Sequence, residues 1–201
     1  MLCGLVAVVG CAPHTSDVAW PDPPTPPVIV ATTTTTPGSA DASDDASPAS
    51  VREQIIADFS AAIEERQRCG RAPQRCAIQR ITARLSEYRA FLTALMAERA
   101  AAGFRTVEGV GDFRFRIESV ELTDVDAAVV HTCSRDSVVL FDLGHSNDAA
   151  EFTSNPIIVD DAVISARTRW EVTRESGRWK WVSARGTEMN MEEDLCGFDV
   201  D

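Results

Sequence analysis

The placement of proline is the feature that most constrains where this chain folds. Eight of the ten prolines lie in residues 12–50, together with five aspartates, a run of threonines at 32–36 and no lysine or arginine. Proline fixes φ and removes a backbone donor, and so few large apolar side chains cannot offset the conformational entropy lost on folding. We therefore predict that residues 12–50 form a disordered linker and that residues 51–201 form a single domain.

Residues 1–11 have the composition of an export signal. The apolar residues 5–9 precede Gly10 and Cys11, a pattern that resembles the bacterial lipoprotein signal, in which the cysteine is acylated. No lysine or arginine precedes the apolar run, and the alternative is a short apolar N-terminus that is disordered or packs on the domain. A spanning helix needs about 20 apolar residues, so this segment is too short to cross a bilayer. We predict lipidation at Cys11 and a location outside the cytoplasm, anchored to the outer face of the cell membrane.

The cysteines that remain after this signal are even in number. They are Cys69, Cys76, Cys133 and Cys196. In an exported chain they predict two disulfides, and three pairings are open. We favour Cys69–Cys76, which would close a short loop between helices, and Cys133–Cys196, which would attach the C-terminal tail to a central strand. Because no two of them have the close spacing of a zinc site, we expect no metal, and nothing in the sequence indicates a cofactor.

The charge balance argues against a nucleic-acid partner. The chain carries 19 basic and 31 acidic residues, for a net charge of −12. Proteins that bind nucleic acid neutralise phosphates with clustered lysine and arginine, whereas the basic residues here are scattered among more numerous acids.

Two amphipathic helices are predicted at the start of the domain. Residues 50–53 have the sequence of a capping box, and apolar residues then recur every four positions until a stop at Cys69 and Gly70. The second helix is predicted from Pro73 to Gly103. Its apolar stripe comprises Ile78, Ile81, Leu85, Tyr88, Leu92 and Leu95. Each helix is apolar on one side and is expected to cover the rest of the domain.

The period changes to two after Phe104. Residues 113–118 alternate apolar and charged side chains, and residues 123–126 predict a turn into a strand at 127–133, with 137–142 as its continuation. A polar loop is expected at 143–156. Residues 166–172 and 178–182 flank Glu175-Ser176-Gly177, which is typical of a hairpin turn. Helices followed by antiparallel strands predict an α+β domain.

This order of elements resembles the nuclear transport factor 2-like (NTF2-like) superfamily, the cone fold of ketosteroid isomerases and polyketide cyclases. The resemblance is carried by Gly103-Phe104, by residues 129–133 with Asp136-Ser137, and by residues 169–172 with 177–179. It implies two N-terminal helices packed on a curved antiparallel sheet. The chain resembles the lipid-anchored or secreted actinobacterial members of this superfamily. Members of this fold commonly dimerise through the open sheet face, so the resemblance also implies a homodimer.

The resemblance does not transfer a catalytic set. Ketosteroid isomerase chemistry uses an aspartate base with a tyrosine and a protonated aspartate, whereas the single tyrosine here, Tyr88, lies in a helix stripe. The candidate base is His131, oriented by a carboxylate such as Asp142 or Asp136, because imidazole carries protons near neutral pH. The alternative is a histidine satisfied by a backbone carbonyl. Candidate ligand-binding residues are Tyr88, His131 and Trp170.

These observations leave three functional hypotheses. The leading one is a membrane-tethered, non-catalytic domain that binds an unknown envelope protein or a small apolar ligand outside the cytoplasm, because the sequence shows an anchor and no recognisable acid–base pair. The second is an enzyme of the isomerase, cyclase or hydrolase type that uses His131 and a carboxylate. The third is a structural part of an envelope or conjugative secretion complex, which a large exposed apolar patch would favour. The sequence favours the non-catalytic hypothesis over the enzyme.

Overall fold

Two helices precede a series of antiparallel strands. The computed structural model describes residues 47–144, 156–191 and 193–198. The helices are α1 (Pro48–Arg71) and α2 (Glu87–Ala102), separated by 3-10 turns at Pro73–Arg75 and Ile78–Arg80. The strands are β1 (Phe104–Thr106), β2 (Phe113–Asp124), β3 (Ala127–Asp136), β4 (Leu140–Asp142), β5 (Ile157–Asp160), β6 (Ile164–Glu175) and β7 (Arg178–Asn190). The predicted α+β class is confirmed. The predicted signal with Cys11, the predicted linker up to residue 46, and residues 145–155 of the predicted polar loop lie outside the described residues.

Helix α1 begins earlier than predicted. Ser47, not Ser50, is the N-cap, and its hydroxyl accepts a hydrogen bond from the Ser50 backbone N–H at 3.3 Å. Pro48 occupies the first turn, where its missing N–H costs nothing and its fixed φ suits a helix. Residues 48–50, which were assigned to the linker, are therefore helical, and the helix ends at Arg71.

The second predicted helix is wrong in its first half. Residues 81–83 instead lie against the outer edge of β7, where the Ala83 N–H donates to the Trp181 carbonyl at 2.9 Å and the Trp181 N–H donates to the Ile81 carbonyl at 3.0 Å. Helix α2 starts only after Ser86, whose hydroxyl accepts from the Arg89 N–H. Leu85, predicted in the buried stripe, is 96% exposed as a result.

The end of α2 is confirmed at Gly103. This residue has φ +77°, and its N–H donates to the Arg99 carbonyl. A side chain there would meet the backbone of Gly144, so glycine is required both for the left-handed conformation and for the close approach.

Within the described residues the strands form two sheets. The main sheet has the order β2-β3-β6-β7 and the small sheet the order β1-β4-β5. Residues 137–142 therefore do not continue β3 as predicted, because β4 pairs in the small sheet. The Asp136 carboxylate accepts a hydrogen bond from the Val138 N–H at 3.0 Å, which forms a local turn and ends β3. The predicted hairpin is confirmed, since Ser176 and Gly177 both have positive φ between β6 and β7.

The helices cover one face of the main sheet. Because side chains alternate along a strand, Ala128, Val130 and Thr132 of β3 share this covered face with Trp170 of β6. The core between the helices and this face includes Ile55, Phe59, Ile63, Leu92, Met96, Trp170, Val172, Trp179 and Trp181. The remaining side chains of the same strands point to the opposite face.

The described residues contain two disulfides, and their pairing is the favoured one. Cys69 is bonded to Cys76 just after α1, and Cys133 of β3 is bonded to Cys196 of the C-terminal tail. Cys133 lies on the opposite face of the main sheet, so the tail segment 193–198 crosses that face near the end of β3. No helix in the described part of the chain is both long enough and apolar enough to span a membrane.

Candidate functional site

His131 lies on the opposite face of the main sheet, away from the helices. Its strand neighbours are Ser119 of β2 and Arg169 of β6. Its Nε2 is 4.0 Å from a carboxylate oxygen of Glu121, and both side chains are substantially exposed. This pair sits on a partly solvated surface and not in a closed cavity.

Asp142 is not brought together with His131. It lies in β4 of the small sheet, and its Oδ1 accepts a hydrogen bond from the Gly144 N–H at 2.9 Å. That contact caps the turn after the strand. The described residues therefore contain no His131–Asp142 pair, and neither residue lines either of the two cavities of about 830 and 430 Å³.

The other predicted ligand-binding residues belong to the core. The rings of Tyr88 and Trp170 meet edge to face with centroids 5.5 Å apart, and both contact Trp181. The indole N–H of Trp170 donates to the Thr132 hydroxyl at 3.0 Å. These contacts pack the main sheet against α2, so Tyr88 and Trp170 serve the core and not a ligand site.

A cavity of about 430 Å³ opens between the helices and one end of the two sheets. We call it the cone cavity. Its walls come from α1, α2, the loop at 106–112, the end of β3, and β4 with β5. The apolar side chains in the wall include Ile63, Leu95, Met96, Phe113, Leu140 and Ile164. Its size falls within the range of about 300–1,000 Å³ that is typical of small-molecule sites.

Charged side chains from three elements line the cone cavity. Arg66 comes from α1, Arg99 from α2 and Asp136 from the end of β3, and all three are partly buried. Asp136 has the same parity as Val130 and Thr132, so the strand directs it towards the helices. The charges of Arg66 and Arg99 both act to lower the pKa of the Asp136 carboxyl, and all three residues line the same cavity.

Burial shifts the protonation equilibria in the cavity. Desolvation raises the pKa of Asp136 above its usual value, while the Val138 N–H and the two arginines act in the opposite direction. Desolvation also lowers the pKa of Arg99, and repulsion from Arg66 adds to this effect. The cavity is therefore an environment in which solvation of charge is incomplete.

Other ionic groups in the wall have partners of their own. Arg71 lies 4.0 Å from Glu108, and Asp112 pairs with Arg114 and accepts a hydrogen bond from the Ser137 hydroxyl. These contacts lower the pKa of Asp112, chiefly through Arg114. In contrast, the side chains of Arg66 and Arg99 form no hydrogen bond, and no ion pair within 4.0 Å, with residues of the described ranges.

Arg66 and Arg99 are not among the site residues predicted from the sequence, although the sequence carries a signal for both. Arg66 follows Ile63 by three positions and Arg99 follows Leu95 by four, so each lies on the face of its helix that turns to the domain. As a site residue, Asp136 was predicted only to orient His131. Among the described residues, no group of three or more histidine, cysteine, aspartate or glutamate side chains could hold a metal ion.

No family model matches the chain, and no curated protein is significantly similar to it. Solved structures that are similar include the intermembrane space region of the chloroplast protein ARC6, at 20% identity and a TM-score of 0.48, covering 68% of this chain and 93% of that one.

A ketosteroid isomerase-like protein from Erwinia carotovora atroseptica is also similar, at 11% identity and a TM-score of 0.41, covering 68% of this chain and 95% of that one. An NTF-2-like protein of unknown function from Shewanella oneidensis MR-1 follows, at 11% identity and a TM-score of 0.37, covering 65% and 97%.

Proposed function

We propose that this chain is a membrane-tethered, extracytoplasmic binding domain that takes up a small organic molecule in the cone cavity without transforming it. The observation that carries the proposal is the mixed lining of that cavity, where Arg66, Arg99 and Asp136 stand among apolar side chains. A few polar groups that converge in an apolar pocket can orient a ligand while the apolar wall supplies affinity.

Residues 1–11 and the disulfides support the extracytoplasmic part of the proposal. Cys11 follows an apolar run of the lipoprotein type, and Cys69–Cys76 and Cys133–Cys196 are bonded, as is usual in oxidising compartments. A proline-rich segment between anchor and domain would hold the cavity away from the membrane surface. The anchor, the linker and the cavity would then serve the presentation of one binding site.

A ligand screen on the full chain tests the binding part. Small organic molecules that raise the melting temperature of the wild-type protein are expected to lose this effect in Val138→Trp, which puts an indole into the cone cavity. The matched control is Val125→Trp, because Val125 is 79% exposed in the turn between β2 and β3. Equal stabilisation of Val138→Trp and wild type by every hit would place binding outside the cavity, and the absence of any hit would refute the proposal.

A mass measurement on native protein tests the anchor. Protein extracted from membranes is expected to begin at an acylated Cys11 and to contain no free thiols in the domain. Cys11→Ala is expected to release the protein from the membrane fraction while it stays folded. An unmodified cytosolic protein with titratable cysteines would contradict this part of the proposal and leave the binding part standing.

An enzyme is the second candidate, with Asp136 in place of His131 as the proton carrier. The supporting observation is the partly buried carboxyl whose pKa is raised by desolvation, since such groups serve as general acids or bases. Asp136→Asn separates the two candidates once a ligand is known. In an enzyme this change abolishes turnover of the bound compound, whereas a binding domain returns the compound unchanged with either residue.

A further inference from the structure

We propose that the occupant of the cone cavity is an organic anion with an apolar body, whose anionic head lies between Arg66 and Arg99. This inference rests on the proposed binding function and names the class of ligand. Three observations support it: the two arginines repel each other in a poorly solvated site, the nearby carboxylates bind backbone N–H groups instead, and apolar side chains line the same cavity.

The two arginines are brought together at a cost that an anion would offset. Arg66 on α1 and Arg99 on α2 are partly buried, and repulsion from Arg66 adds to the desolvation that lowers the pKa of Arg99. Two like charges close together in a poorly solvated site repel each other more strongly than in water. A carboxylate or phosphate accepts two parallel N–H bonds from a guanidinium, so an anionic head between them would satisfy both.

The nearby carboxylates do not fill this role. Asp136 accepts a hydrogen bond from the Val138 N–H at 3.0 Å, and Asp160 accepts one from the Ala162 N–H at 3.0 Å. Neither lies within 4.0 Å of a guanidinium nitrogen of Arg66 or Arg99, so these two carboxylates do not occupy the guanidinium donors of either arginine. Because Asp136 and Asp160 also add negative charge at the rim, a single negative charge on the head suits the site better than two.

The rest of the wall fits an apolar body. Ile63 of α1, Met96 of α2 and Ile164 of β6 line the same cavity, and its volume of about 430 Å³ exceeds what a bare inorganic anion would need. A free inorganic ion would leave this apolar wall in contact with water. The lining therefore points to an amphiphile with its head at the arginines.

Calorimetric titration of the full chain with matched ten-carbon probes tests the head group. Decanoate is expected to bind about tenfold or more tightly than decanol, and more tightly than decyl phosphate or decyltrimethylammonium, because only the monocarboxylate gains charged hydrogen bonds without a second charge. The affinity for decanoate is expected to fall with added salt, and the affinity for decanol is not. Tighter binding of decyl phosphate would keep the anionic class and replace the carboxylate by a phosphate source.

Charge-removing variants test the two arginines. Arg66→Gln and Arg99→Gln are each expected to weaken decanoate binding about tenfold while leaving decanol unchanged. The matched control is Arg52→Gln, an exposed arginine on α1 outside the cavity, which should change neither affinity. Because the comparison is between two probes on one variant, a partial loss of stability cannot imitate the expected result.

The outcomes separate this inference from the proposed function. If decanol or the cationic probe binds as tightly as decanoate in a manner blocked by Val138→Trp, the cavity binds ligands but the anionic class is wrong. If none of the four probes binds, the inference is likewise overturned, and the proposed function then depends on the ligand screen. If the screen also yields nothing, both fall.

Discussion

The covered and opposite faces of the main sheet are built from alternate residues of the same strands, yet they are stabilised differently. On the covered face, Val130 and Trp181 are fully buried and Trp170 is 8% exposed. On the opposite face, Arg169 and Glu171 pair at 2.7 Å with side chains that are 39% and 47% exposed. Burial of apolar side chains provides most of the stability on the covered face, whereas the exposed ion pairs on the opposite face contribute little.

Two carboxyl groups, one on each face, also differ in the direction of their pKa shifts. Asp136 on the covered face has its pKa raised by desolvation, whereas Glu171 on the opposite face has its pKa lowered, first by a hydrogen bond from Arg169 and then by one from Ser183. Desolvation thus outweighs the donors at Asp136, whereas the donors outweigh desolvation at Glu171. The proposed binding site lies on the covered side, at the end of the main sheet that borders the cone cavity.

The largest predicted effect is the removal of Trp181. Its ring contacts Phe59, Tyr88 and Trp170 at centroid distances of 5.3, 5.7 and 4.5 Å. Trp181→Ala is expected to lower the free energy of unfolding by about 3–5 kcal/mol, measured by denaturant unfolding with the disulfides intact. Trp181→Phe is the control and should cost less, because the buried indole N–H has no partner in the described structure. A loss near 1 kcal/mol for the alanine variant would contradict the dominance of the covered face.

A smaller effect is predicted for Asp58, which ties α1 to the β6–β7 hairpin. The side chain is buried, Oδ2 accepts from the Trp179 N–H at 3.0 Å, and Oδ1 lies 3.1 Å from Arg178. Asp58→Ala is expected to cost about 1.5–3 kcal/mol in the same unfolding assay, because it leaves a buried N–H unpaired. Arg178→Ala should cost less than about 1 kcal/mol, since that side chain is 69% exposed. Equal losses would assign the effect to the ion pair instead.

These two effects also show how far sequence reasoning reaches into the fold. The stripe of Ile55, Phe59 and Ile63 identified the buried side of α1, because helix periodicity is a local property. The second helix was predicted too long because residues 81–83 pair with β7 about 100 positions later in the chain. Apolar spacing continued through this segment and left Leu85 in a stripe that the structure breaks. A pairing so distant in sequence leaves no local pattern.

The site was harder to predict for a related reason. Ala128, Val129 and Val130 are all buried, so the first half of β3 does not show which parity faces the helices. His131 and Asp136 have opposite parity, and only the packing of α1 and α2 decides that Asp136 faces the cavity. Both residues were predicted as candidates from their side-chain chemistry, and the position of the two helices determines that Asp136, not His131, lines the cavity.

The contributions of Asp136 and Glu171 to the free energy of unfolding are predicted to change with pH in opposite directions. The raised pKa of Asp136 means that the native state binds its proton more tightly than the unfolded chain, so this carboxyl destabilises the fold progressively as pH rises through the native pKa. Asp136→Asn should therefore be more stable than wild type near neutral pH and equal to it below the unfolded pKa. The Asn oxygen can still accept the Val138 N–H.

Glu171 is expected to behave in the reverse way. Its lowered pKa stabilises the fold above the unfolded pKa, and this contribution is lost as pH falls through the native value. Glu171→Gln should therefore lose stability near neutral pH and converge with wild type in acid. The measurement is the denaturant midpoint of each variant relative to wild type, from acid to neutral pH. If the two differences from wild type changed with pH in the same direction, the contrast between the faces would be contradicted.

The smallest predicted effect is at Arg169, beside His131 on the opposite face. Its guanidinium pairs with Glu171 at 2.7 Å, but both side chains remain more than a third exposed, so solvent and salt screen the attraction. Arg169→Ala is expected to change the free energy of unfolding by less than about 1 kcal/mol at low salt, and by less still at high salt. His131→Ala should match it and leave ligand binding in the cone cavity unchanged. A loss of binding in either variant would place the functional site on the opposite face, because the main sheet separates these two side chains from the cone cavity.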